Sequence, residues 1–153
     1  MPEPDEHADA VVLPALLRAA RGTYSKAIKA QLAEAGFDDL PRNAPFVLGG
    51  MANRGGTAPD LLRALKVTKQ AASQLVDTLV LRGYLERETN PDDRRRMVVT
   101  LTDRGHAAGA AVRAGVDATD AELAKRISPE QLKAMRIGLY VLALIGDPTL
   151  DGD

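Results

Sequence analysis

Residues 65–105 read LKVTKQAASQLVDTLVLRGYLERETNPDDRRRMVVTLTDRG, and three local patterns follow one another within them. Thr68 is a helix-capping residue. After it Ala72, Leu75, Val76, Leu79 and Val80 recur at three- and four-residue steps until Gly83, which is the spacing of one buried helix face followed by a stop signal. Lys69, Gln70, Ser73, Gln74 and Asp77 fall on the opposite face. Residues 84–89 and 97–101 then read as two short strands. Between them Asn90-Pro91-Asp92-Asp93-Arg94-Arg95-Arg96 forms a turn with three consecutive arginines at its tip.

Just upstream, Thr57 can cap a shorter helix, with Pro59 tolerated in its first turn and Leu61, Leu62 and Leu65 as its apolar side. Two helices joined by a short turn, the second leading into a hairpin, is the layout of a winged helix-turn-helix. The fold class expected is therefore mainly α with a small β-hairpin wing. Such a lobe needs a first helix that braces the second, and a second helix with one face held and one short polar face free to enter a major groove.

The segment that opens at Thr68 meets that need. Gln70 and Gln74 can pair with adenine edges, Lys69 with guanine or phosphate, and Thr68 and Ser73 with phosphate or base. Arg94, Arg95 and Arg96 can reach the adjacent minor groove, with Arg94 the foremost groove residue and Arg95 its support; Asp92 or Asp93 can pair with one of them. Each feature also has a plainer reading. An arginine turn standing alone is often a solvated loop, and a polar helix face is often only the wet side of an amphipathic helix. The position of the arginines directly after the two helices, and the Gln, Ser and Thr content of the face without Glu–Lys pairing, favour readout.

Outside this stretch the chain reads as helix. Leu13, Leu16, Leu17, Ala20, Tyr24, Ala27, Ile28 and Leu32 describe one face of a long helix ending near Gly36, which Pro14 either starts or kinks. A loop holding Pro41 leads to a shorter helix over 42–52, ended by Gly55-Gly56. Thr102 caps a helix with Ala108, Val112, Val116, Thr119, Leu123 and Ile127 on one stripe. Ser128-Pro129-Glu130-Gln131 is a capping box for a last helix with Leu132, Met135, Leu139, Leu142 and Ile145 on one side. The polar opening up to Asp9 is expected to fray. One domain over 1–153 is expected: helices in 1–36 and 103–147 for dimerisation, and a DNA-binding lobe over 42–102. The terminal helices carry apolar stripes while the lobe has its own core, so those stripes need a partner surface.

Composition sets the outer bounds. The chain has 153 residues, 45% hydrophobic and 27% charged, which is globular. Aromatics are 3% with no Trp, so the core is aliphatic and suits packed helices. There is no Cys, which excludes disulfides and thiolate chemistry within the chain. Net charge is −1, yet Arg54 to Arg104 holds ten Lys/Arg against seven Asp/Glu, and the remainder ten against fourteen. A basic middle between acidic ends permits DNA binding. The acidic opening does not resemble a secretion signal, and the longest apolar run, 139–145, is too short to span a bilayer; a cytoplasmic protein is expected.

Residues 65–87 resemble the recognition helix and first wing strand of the MarR family. Residues 90–105 are similar to its wing signature, Asp-Pro-x-Asp-Arg-Arg followed by a strand ending Leu-Thr-x-x-Gly, with Asn90 in place of the first Asp. Lys66 stands where Gly or Asn often ends the supporting helix. The resemblance implies a homodimer whose terminal helices interlock, two recognition helices on a pseudo-palindromic double-stranded DNA operator, and a ligand-responsive repressor. It also implies a small aromatic or phenolic effector bound between the dimer helices and the lobe.

Tyr24, Phe46 and Met51, with Tyr140, are candidates to line such a site, although core packing explains each of them better, and Tyr24 and Tyr140 also suit a dimer interface. His7 and His106 lie far apart and suggest no metal site. Neither a cofactor nor an enzymatic activity is expected, since no nucleophile–base pair or phosphate loop is present. The alternative is a winged-helix adaptor that dimerises without binding DNA. The three wing arginines argue against it.

Overall fold

A computed structural model of the chain describes residue 7 and residues 9–147. The frayed opening expected before Asp9 lies almost wholly outside the described residues. Six helices and one hairpin are present among those described: α1 Leu13–Glu34, α2 Ala44–Arg54, α3 Ala58–Ala64, α4 Lys69–Leu81, β1 Leu85–Thr89, β2 Met97–Leu101, α5 Asp103–Ala124 and α6 Pro129–Gly146. The order is the one the periodicity predicts, mainly α with a β-hairpin wing. The chain divides into two compact units, Met1–Asp117 and Ala118–Asp153, with the division inside α5.

Capping chemistry sets most boundaries. Pro14 lies in the first turn of α1 and so starts that helix. Thr57 Oγ1 accepts from the Asp60 N–H at 3.3 Å and Thr68 Oγ1 from the Ala71 N–H at 3.1 Å, so both predicted caps form. α4 ends in a Schellman motif: Tyr84 N–H donates to the Leu79 carbonyl at 2.9 Å and Gly83 N–H to that of Val80 at 3.0 Å. That closure puts Gly83 at φ 72°, a conformation open to a residue without Cβ. The α3–α4 turn is closed differently. Lys66 takes φ 52° there, which explains why Gly or Asn would suit the position.

The hairpin pairs Leu85 with Leu101 through Thr89 with Met97, antiparallel and in unbroken register. Thr102 joins its base to both neighbouring helices. Its hydroxyl donates to the Gly83 carbonyl at 2.6 Å and accepts from the Gly105 N–H at 3.1 Å, capping α5.

Within the first unit one apolar cluster holds Leu32, Leu48, Leu79, Tyr84, Leu85, Ala108 and Val112. A second holds Val47, Ala58 and Leu62, with Leu65, Ala72, Leu75 and Val76 packed against it. The predicted inward face of α4 is thus split between two cores. α5 meets the rest of this unit through small residues. A Cβ on Gly105 would overlap the Tyr84 carbonyl oxygen, and one on Gly109 would overlap Ala52. Helix and hairpin base therefore approach to backbone contact.

In the second unit the Ser128 capping box forms in both directions, Ser128 Oγ accepting from Gln131 N–H at 3.2 Å and Gln131 Oε1 from Ser128 N–H at 2.8 Å. Glu122 accepts from Lys125 at 2.6 Å and from Arg126 at 2.8 Å, which together hold its carboxyl down at about 2. α6 buries none of its residues. Among the described residues no helix is long and apolar enough to cross a membrane.

Candidate nucleic-acid interface and adjoining cavity

α4 presents two unlike faces. Leu79 is fully buried, and Ala72, Leu75 and Val76 are half-buried, while Lys69, Gln70, Ser73 and Gln74 are exposed. The caps and the closing motif hold both ends of this helix, so the exposed row stands on a rigid element. Thr68, at its head, accepts the Ala71 N–H and keeps its own O–H to donate. Asp77, which the periodicity places on the polar face, is engaged inside the chain: its carboxylate pairs with the Arg87 guanidinium and ties α4 to β1.

The wing tip is built by two side-chain-to-backbone bonds. Asn90 Oδ1 accepts from Asp92 N–H at 2.9 Å and Asp93 Oδ1 from Arg95 N–H at 3.0 Å, while Asn90 N–H donates to the Arg96 carbonyl at 2.8 Å. Asp93 thus shapes the turn backbone in place of pairing with an arginine. Arg94, Arg95 and Arg96 are all exposed, and no ion pair engages their side chains among the described residues. His106 is exposed in the first turn of α5, its N–H donating to the Thr102 carbonyl at 2.9 Å.

A polar knot beneath the hairpin base has no counterpart in the sequence reading. The Tyr84 ring is fully buried, its hydroxyl donates to Asp39, and Arg104 donates to that hydroxyl at 3.0 Å. Arg104 also stands 3.4 Å from the Asp39 carboxylate and lies over the Tyr84 ring at 4.5 Å. The Tyr84 hydrogen bond, with the nearby Arg104 charge, lowers the Asp39 carboxyl below the ordinary carboxylate range. Burial and the hydrogen bond to Asp39 raise the Tyr84 phenol. No spacing rule could join residues 39, 84 and 104.

A cavity of about 380 Å³ opens on the other side of α2. Ile28, Phe46, Leu61, Val112 and Val116 give it apolar walls, and Tyr24 stands among them. Arg21, Lys29, Arg42, Arg54 and Arg113 also line it, and no carboxylate does. Tyr24 and Phe46 therefore share one hollow. Met51 does not line it; on the inward side of α2, it packs against both apolar clusters. A smaller hollow of about 260 Å³ runs along α4, lined by Arg42, Asn43, Ala71, Gln74, Leu75 and Thr78 among others.

A helix pair with a capped, solvent-facing second helix, followed by a hairpin with three exposed arginines at its tip, defines a winged helix-turn-helix protein. The profile of the MarR family matches residues 38–96. A crystal structure of a MarR family transcription regulator superposes with a TM-score of 0.67 at 27% identity, covering 98% of this chain and 97% of that one. The chain is thus similar to the MarR family over residues 38–96 by profile, and to a MarR family transcription regulator over nearly its whole length by fold.

The S. aureus MepR–DNA complex has a similar fold, with a TM-score of 0.67 at 21% identity over 87% of this chain and 97% of that one. Wild-type apo MarR from E. coli does too, at 0.60 and 23% over 86% and 97%. Uncharacterized proteins of Mycobacterium tuberculosis and Mycobacterium bovis are 30% identical over 93 residues, 61% of this chain. That match spans 65% of the length of these curated relatives.

Proposed function

We propose that the chain is a sequence-specific DNA-binding transcriptional regulator, and not an enzyme, acting as a homodimer on a pseudo-palindromic operator. One observation carries the reading. The exposed row Lys69, Gln70, Ser73 and Gln74 lies on a helix whose other face is locked into two cores, beside a hairpin tip with three arginines outside any ion pair among the described residues. In this reading Thr68 and Lys69 take phosphate or base, Gln70, Ser73 and Gln74 read the major groove, and Arg94, Arg95 and Arg96 reach the minor groove. The similar fold of MepR in its DNA complex supports the placement.

Regulation by a small aromatic or phenolic effector, as a repressor in the cytoplasm, completes the proposal. Its support is the cavity that Tyr24 and Phe46 share.

Retention of genomic fragments at two salt concentrations tests the DNA reading, with the natural chain compared with Gln74→Ala and Arg94→Ala. Gln74→Ala is expected to relax the enriched sequence and cost about 1–3 kcal/mol on it. Arg94→Ala is expected to weaken retention on all sequences and flatten the salt dependence. No enrichment over competitor DNA by a folded dimer would favour the protein–protein adaptor instead.

A further inference from the structure

We infer that Lys66 is a DNA-phosphate contact of the helix-turn-helix, held at a backbone position that a lysine occupies only at the expense of stability. The inference rests on the DNA-binding reading above and adds to it a residue outside the recognition row, its cap and the wing.

Lys66 has φ 52°, and among the described residues it is the one non-glycine residue with a positive φ. Gly36, Gly55 and Gly83 stand at the other positive-φ positions, with φ 81°, 66° and 72°. In the left-handed region a Cβ crowds the carbonyl oxygen that follows, which glycine avoids and which Asn or Asp offsets through a short side chain that bonds locally. Lysine has neither device. Its N–H donates to the Arg63 carbonyl at 3.0 Å and closes the end of α3, but a glycine N–H would close it equally well. The Lys66 side chain is exposed, so burial does not offset the crowding.

A side chain kept in a crowded backbone conformation marks a place that function requires. The location of Lys66 says which function. It lies in the turn between α3 and α4, two residues before the Thr68 cap. In helix-turn-helix docking the first helix crosses the DNA backbone and the head of the second enters the major groove. The turn between them therefore passes the lip of the groove, where the phosphates stand. Arg63, Lys66 and Lys69 are the only charged residues between Asp60 and Asp77. Arg63 is paired with Asp60, which leaves the two lysines to set the charge of the turn and the helix head. An ammonium on a flexible stem suits a phosphate, which needs a point charge and no fixed orientation. At position 66, then, stability and DNA affinity pull in opposite directions.

The test uses the full chain as natural protein, Lys66→Gly, Lys66→Asn and Lys66→Arg. Urea unfolding is measured beside binding to a random-sequence duplex over a salt series, since phosphate contacts carry no sequence information. Lys66→Gly and Lys66→Asn are each expected to raise the urea midpoint by about 0.5 M. Both are expected to weaken duplex binding several-fold at low salt and to flatten the slope of log affinity against log salt by about 0.9 per protomer. Lys66→Arg should match the natural chain in both measurements. A residue that only shaped the turn would move stability and binding in the same direction. Agreement of the Asn variant with the Gly variant excludes added backbone freedom as the cause.

An unchanged salt slope in both neutral variants, while the natural chain holds duplex, overturns the phosphate contact alone. A urea midpoint that fails to rise in both overturns the opposition between stability and affinity. Failure of the natural chain to hold duplex at any salt overturns the DNA reading, and the role of Lys66 with it.

Discussion

Tyr84 shows how much of the lobe depends on one hydroxyl. Its ring fills the core under the hairpin, and its O–H is held between a carboxylate and a guanidinium, both from distant parts of the chain. Tyr84→Phe keeps the ring and removes both bonds. A hydrogen bond to a charged group is worth about 1.5–3 kcal/mol, but Asp39 and Arg104 are partly exposed and regain water, so a loss of about 1–2 kcal/mol is expected.

The pH dependence has a defined sign. The Asp39 carboxyl is lowered in the folded chain, so its stabilisation is present above its unfolded value near 3.9 and disappears as pH falls through the folded value. Tyr84 is raised, so its contribution is complete below about 10 and is lost above it. Urea midpoints for both proteins at pH 7 and pH 3 check this: the gap should shrink at pH 3. A gap of equal size at both pH values would mean that the hydroxyl acts without the Asp39 charge.

At the scale of elements, contact between α5 and the hairpin base depends on Gly105. Replacing a helical Gly by Ala ordinarily gains about 1 kcal/mol. At Gly105 the new methyl would overlap the Tyr84 carbonyl, whose place is fixed by the 3.1 Å bond from the Thr102 N–H. Backbone cannot yield as a side chain does, so Gly105→Ala is expected to destabilise by about 1–3 kcal/mol despite its better propensity. Chemical denaturation reads the sign, and a stabilised variant would show that α5 slides freely over the hairpin.

The same comparison shows what sequence can and cannot carry. As caps and stops, Thr57, Thr68, Thr102, Ser128 and the positive-φ Gly83 bond to backbone within a few residues, so spacing alone located their helices. The exposed row of α4 was legible for the same reason, because a helix face follows from period. The Tyr84–Asp39–Arg104 knot joins segments up to 65 residues apart. The two hollows that meet at Arg42 likewise form only when α1, α2, α4 and α5 have packed. Even Met51, on a recognisable helix, went to the core because the choice between core and cavity is made by α2's neighbours.

At the scale of the whole molecule, the strongest demand for a partner comes from α6. Ile137, Val141 and Ile145 are 54%, 50% and 76% exposed, Tyr140 is 49% exposed, and no residue of the helix is buried within its own chain. A helix apolar on most of its circumference does not remain open to water in a stable protein. In the other unit Val12, which precedes α1, and Leu13 and Leu16 of that helix are exposed as well. Burying an Ile or Val side chain contributes about 1.5–3 kcal/mol, so a few such residues on each of two chains suffice for association at micromolar concentration.

The double variant Ile137→Glu with Val141→Glu puts two charges one turn apart on that surface. Sedimentation is expected to show a dimer for the natural chain and a monomer for the variant. The winged lobe has its own cores and should still unfold cooperatively. A monomer carries one recognition helix, so retention on an operator with half-sites roughly 34 Å apart should fall steeply and its salt slope drop to about half. A variant that stays dimeric places the interface elsewhere, and a natural chain that binds its operator as a monomer removes the need for one.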